Sequence, residues 1–91
     1  MSAAPAEPQG PHIRTVAAPL VGVFYHSEQP GRAALVEEGS HVERGSLIGV
    51  IEALQVLTEV ESDATGVVQR VVAEDGQSVE FGQALVEILV D

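Results

Sequence analysis

The sequence predicts an all-β fold assembled from two similar halves, and three observations carry that prediction. From Ile13 onward, apolar residues come in short valine-rich strings closed by glycine or by an acid–glycine pair, the texture of strands punctuated by turns. No window holds helical spacing over several turns. The chain also repeats itself. "VEEGSHVERGSLIGVI" (36–51) aligns with "AEDGQSVEFGQALVEI" (73–88) at an offset of 37, with identity at Glu37/Glu74, Gly39/Gly76, Val42/Val79, Glu43/Glu80, Gly45/Gly82 and Ile51/Ile88.

In chain order, "MSAAPAEPQGPH" (1–12) holds three of the five prolines and no apolar periodicity, so it is expected as a flexible or extended tail ahead of a domain over 13–91. "GVF" (22–24) opens the first half as "GVV" (66–68) opens the second. Gly22 precedes Gly39 by 17 residues whereas Gly66 precedes Gly76 by 10, so the first half carries seven extra residues. They fall within "YHSEQPGRAA" (25–34), where Pro30-Gly31 supplies a turn. Glu38-Gly39 and Asp75-Gly76 suit tight turns that need positive φ, and Gly45 and Gly82 mark second turns at matching places. Val42 and Val79 are placed to plug the space between them. Two such halves, related by a pseudo-twofold axis, can pack face to face and bury valine and leucine rows between two small sheets. Where the first half passes into the second, "IEALQVLT" (51–58) brings two strand-like runs together around Gln55.

Composition narrows the partners. Ninety-one residues make one small domain with little spare stability. Fourteen acids face four arginines, Arg14, Arg32, Arg44 and Arg70, and the chain has no lysine; the net charge is −10. That balance argues against nucleic acid and against acidic membrane surfaces. With no cysteine there is no disulfide, thiolate metal site or thiol nucleophile. The apolar runs fall far short of a membrane span and the N-terminus lacks the pattern of a secretion signal, which points to a cytoplasmic protein. His12, His26 and His41 are too scattered to make a metal site by spacing.

Over residues 13–90 the chain resembles the biotinyl/lipoyl attachment domains, in particular the biotin carboxyl carriers of acetyl-CoA carboxylase. The resemblance rests on "APLVGVFY" (18–25), "EALQV" (52–56), "ATGVV" (64–68) and "GQSVEFGQAL" (76–85). It implies a flattened barrel-sandwich of two four-stranded antiparallel sheets, with a protruding thumb where the insertion lies, near residues 26–34. In that family the hairpin matching "EALQV" is Glu-Ala-Met-Lys-Met, and biotin is joined to its lysine by an amide. Here the matching position is Gln55, flanked by Leu54 and Val56, with Glu52 in the place of the family's hairpin glutamate. A carboxamide nitrogen is neither basic nor nucleophilic, so an activated biotinyl group has nothing to attack. No other lysine exists to replace it. Neither biotin nor lipoate is therefore expected as a cofactor.

The family's thumb folds toward the hairpin, which here implies that Tyr25, His26, Ser27, Glu28 and Arg32 lie near Gln55. His26 and Glu28, with Tyr25, form a candidate acid/base set, and Gln55, Arg32 and Ser27 are candidate ligand contacts. Three functional expectations follow. The first is a pseudo-carrier that cannot be biotinylated and serves as a binding, scaffold or regulatory subunit beside biotin carboxylase or carboxyltransferase-type subunits. The second is a repurposed binder of an acyl or polyketide small molecule, or an enzyme acting on one as a cyclase, isomerase or decarboxylase. The third is an inactive variant of a genuine carrier.

Overall fold

The computed structural model describes residues 10–29 and 31–91. Most of the expected tail, residues 1–9, lies outside the described residues; His12, its last residue, already belongs to a strand. Among the described residues eight strands follow one another: β1 (His12–Ala17), β2 (Gly22–Tyr25), β3 (His41–Val42), β4 (Leu47–Ala53), β5 (Val56–Glu61), β6 (Gly66–Val71), β7 (Gln77–Val79) and β8 (Ala84–Val90). They form two four-stranded antiparallel sheets with orders β1-β8-β6-β3 and β5-β4-β2-β7.

Exchanging β1–β4 with β5–β8 turns either sheet order into the other. The register obeys the same exchange: His12↔Val90 has the mate Val56↔Ala53, and Gly22↔Val79 has the mate Gly66↔Val42. Strands β1 and β2 lie 44 residues before their mates, β3 and β4 only 37 before theirs. The seven-residue difference places the insertion between β2 and β3, as the repeat predicts.

The core lies between the sheets and is filled from both halves, with Phe24, Ile51, Leu85, Val86 and Ile88 fully buried. Val42 and Val79 are buried as symmetric plugs. Packing departs from symmetry in a compensated way. Phe24 is the mate of Val68, and Gly49, which lies under the phenyl ring, is the mate of Val86. A Cβ on Gly49 would stand 2.5 Å from Phe24 Cε1, so one half uses large-plus-none where the other uses two valines, keeping the interior close-packed.

The turns show why the two halves adopt one backbone. Residues 43–46 and 80–83 form matching turns, closed by Ser46 N–H to Glu43 O at 2.8 Å and Gln83 N–H to Glu80 O at 3.0 Å. Gly45 (φ 93°) and Gly82 (φ 84°) take the left-handed positions. Ser46 Oγ accepts from the Glu43 N–H and Gln83 Oε1 from the Glu80 N–H, at 2.9 and 3.0 Å. Ser40 and Gln77 repeat this cap one turn earlier, at 2.9 and 2.8 Å. A short hydroxyl in one half and a longer amide in the other thus do the same work.

Candidate functional site: the hairpin tip and the thumb cleft

Strands β4 and β5 pair down to Ala53↔Val56, leaving Leu54 and Gln55 as a two-residue turn. Both have positive φ, 51° and 66°, the pattern of a type I′ hairpin that ordinarily draws Asn-Gly. Holding two such side chains in the left-handed region costs about 1–2 kcal/mol each. Leu54 is 97% exposed, and Gln55 and Val56 are exposed beside it. Gln55 therefore stands at the tip that joins the halves, as expected.

The thumb rises from the end of β2 and is fastened to the turn before β7. The His26 N–H donates to Asp75 Oδ1 at 2.7 Å, and its ring donates from Nε2 to the Ala73 carbonyl, also at 2.7 Å. A carbonyl only accepts, so Nε2 carries the proton. The ring meets Phe24 edge-on, with centroids 5.5 Å apart. Within the thumb, the Leu35 N–H donates to His26 O at 2.8 Å and Ser27 Oγ–H to Gln29 O at 2.8 Å.

Between the thumb and the outer face of β4 and β5 lies a cleft of about 430 Å³, floored by Tyr25, Val50, Glu52 and Leu57 and walled by Ser27, Glu28 and Arg32. The cleft brings together Tyr25, Ser27, Glu28, Arg32 and Glu52 from the sequence candidates. Gln55 and His26 do not line it. Among the described residues no hydrogen bond joins His26 to Glu28; the imidazole is committed to anchoring the thumb. Val50 and Leu57 were not foreseen. Val50 is 2% exposed yet stands outside the inter-sheet core, covered by the thumb. Its mate under the repeat is Glu87, and an apolar residue where the other half is acidic is the signal that marks it.

A twofold barrel-sandwich with one tight hairpin tip at its midpoint is the fold that the resemblance to the biotinyl/lipoyl attachment domains implies. Residues 14–88 match the biotin/lipoyl family model described as "Biotin-requiring enzyme", and the chain belongs to that family. It is 38% identical over 79 residues to the biotin carboxyl carrier protein of acetyl-CoA carboxylase from a Nostoc species, covering 87% of this chain and 43% of that protein. Its identity to the Pseudomonas aeruginosa protein of the same name is 35% over 74 residues, 81% of this chain and 47% of that one. The chain thus spans less than half the length of these curated relatives. Among solved structures it superimposes on Kluyveromyces lactis urea carboxylase with a TM-score of 0.71 at 22% identity, covering 97% of this chain and 7% of the other. A single-chain, multi-domain long-chain acyl-CoA carboxylase gives a TM-score of 0.73 at 21% identity, covering 94% and 8%. Both likenesses concern the fold.

Proposed function

We propose that this chain is a carrier-type domain that works without a covalently attached group, as a binding or regulatory subunit beside carboxylase enzymes of acyl-CoA, fatty-acid or polyketide metabolism. The observation that carries the reading is Gln55 at the exposed hairpin tip of a chain without lysine. An amide at that point has no nucleophile to offer a biotin or lipoate ligase. The rest of the carrier scaffold is retained, including the thumb and both halves of the sandwich. The test is intact-mass measurement after co-expression with a biotin ligase. The wild-type chain is expected to stay unmodified and Gln55→Lys to gain one biotinyl group. A biotin- or lipoate-sized adduct on the wild-type folded region overturns the reading.

The cleft favours a second reading, a small-molecule site for an acyl or polyketide compound. Arg32 supplies a cation for a carboxylate or carbonyl oxygen, Val50 and Leu57 an apolar floor, and Glu28 and Tyr25 the groups able to accept or give a proton. A thermal-shift screen with acyl N-acetylcysteamine thioesters tests it. A stabilising hit should vanish in Arg32→Ala and Glu28→Gln, and a hit that survives both places the ligand elsewhere.

A further inference from the structure

The three histidines are scattered in the sequence, yet the fold gathers two of them. Strand β5 leads away from the hairpin tip for six residues, roughly 20 Å at about 3.3 Å per residue, and Asp63 lies just past its far end. Beside Asp63 is a second cavity, of about 490 Å³. His12 and Arg14 reach it from β1, His41 from β3 and Arg44 from the turn that follows. Half of the chain's arginines and two of its three histidines thus line one cavity, at the end remote from Gln55. It shares no lining residue with the thumb cleft.

Charge singles the cavity out. Asp63 and Asp91 also line it and balance its two arginines, so the whole net charge of −10 falls on the rest of the chain. Arg14 donates from Nε and Nη2 to Asp63 Oδ2, at 3.3 and 3.2 Å. Arg44 makes no ion pair among the described residues, and its guanidinium remains for a ligand. Its backbone N–H donates to Thr65 Oγ1 at 3.2 Å, which leaves the Thr65 O–H to donate elsewhere. His12 donates from Nδ1 to Gly10 O at 2.9 Å; with the proton there, Nε2 is an acceptor. Two donors and one acceptor suit an oxyanion that still carries a proton. A phosphate monoester, which gives up its second proton near pH 6, can share that proton with an imidazole, whereas a carboxylate has none left to share at neutral pH. One phosphate occupies a small part of the cavity, and Ala64, Val67 and Val90 supply an apolar wall for the organic group it bears.

We propose that this cavity is a binding site for a small organic phosphate monoester. Arg44 is its principal cation, the Thr65 O–H its second donor and His12 Nε2 the acceptor of the phosphate's proton. Arg14 neutralises the Asp63 carboxylate, which otherwise repels the ligand, and guanidinium and hydroxyl groups together are a common way to hold phosphate oxygens. The site goes beyond the carrier-type reading and does not depend on it, because it uses neither the hairpin tip nor the thumb.

The experiment is a titration of isotope-labelled protein with phenyl phosphate, read by amide chemical shifts, with benzoate as the carboxylate counterpart. Wild type is expected to saturate with a Kd at or below about 1 mM, with shifts at His12, His41, Arg44 and Thr65. Arg44→Gln, altered at an exposed side chain whose backbone N–H still meets Thr65, should weaken binding about tenfold. His12→Phe, which keeps a ring and removes the acceptor, should weaken it severalfold, and Arg70→Gln, outside the cavity, should bind as wild type. Benzoate should bind about tenfold more weakly than phenyl phosphate. No saturable shift by about 10 mM, undiminished affinity in Arg44→Gln, or benzoate binding as tightly as phenyl phosphate overturns the proposal. Each of these leaves the carrier-type reading standing, since intact mass alone tests that.

Discussion

The outer faces of the two sheets are symmetry mates that meet different surroundings. On the sheet containing β4, Val50 and Tyr25 point outward and the thumb lies over them, leaving Val50 2% exposed. On the sheet containing β8, the same positions are Glu87 and Gln69, with no insertion above them; Gln69 is exposed and Glu87 half-buried. The backbone is common to both, so the cover decides the side chain. Seven added residues convert a solvated strand face into the floor of a cleft.

The sharpest way to break that comparison is to exchange the residues. Val50→Glu buries a carboxylate under the thumb, in a cleft where Arg32 is outnumbered by Glu28, Glu52 and Asp75, and should cost about 3 kcal/mol. Urea unfolding reads the loss, and faster proteolysis within 26–36 reads any relief through thumb opening. The reverse change, Glu87→Val, should stay within about 0.5 kcal/mol because no cover depends on it.

A smaller effect is expected at the thumb's anchor. His26→Ala removes the bond to Ala73 O and the edge contact with Phe24, for a loss of about 1–2 kcal/mol. Faster hydrogen exchange at the Leu35 amide should accompany it. Arg70, the mate of His26, is exposed, and Arg70→Ala should change stability by less than about 0.5 kcal/mol. At the tip the sign reverses: Leu54→Asn with Gln55→Gly should raise stability by about 1–2 kcal/mol, since both residues suit the left-handed turn. A fall in the unfolding midpoint would show that the tip is packed in a way its exposure does not indicate. The smallest changes test where the halves agree. Ser46→Ala and Gln83→Ala each delete one turn cap and should each cost about 0.5–1 kcal/mol. Clearly unequal losses would mean that the two turns are not equivalent.

Much of the fold was legible because turn chemistry is local. The acid–glycine pairs and the second glycines fall in the turns they predict, and the unequal spacing of Gly22–Gly39 and Gly66–Gly76 locates the insertion. The caps were less legible: Ser46 and Gln83 look unrelated in the sequence, and only the fold shows that their oxygens reach the same amide. The candidate residues divide in space. Tyr25, Ser27, Glu28, Arg32 and Glu52 do share a cleft, whereas His26 turns inward to Ala73. Neighbours along a thumb need not face the same way, because direction is set by the strand from which the thumb rises.

The pairing His12↔Val90 stands to one end of the sandwich as Val56↔Ala53 stands to the other. A circular permutant that joins Val90 to His12 through a two-residue linker and opens between Leu54 and Gln55 should therefore fold to the same architecture. It would carry the thumb in its second half and free ends where the tip had been. Such a molecule would separate what the scaffold needs for its own cohesion from what it presents at that corner.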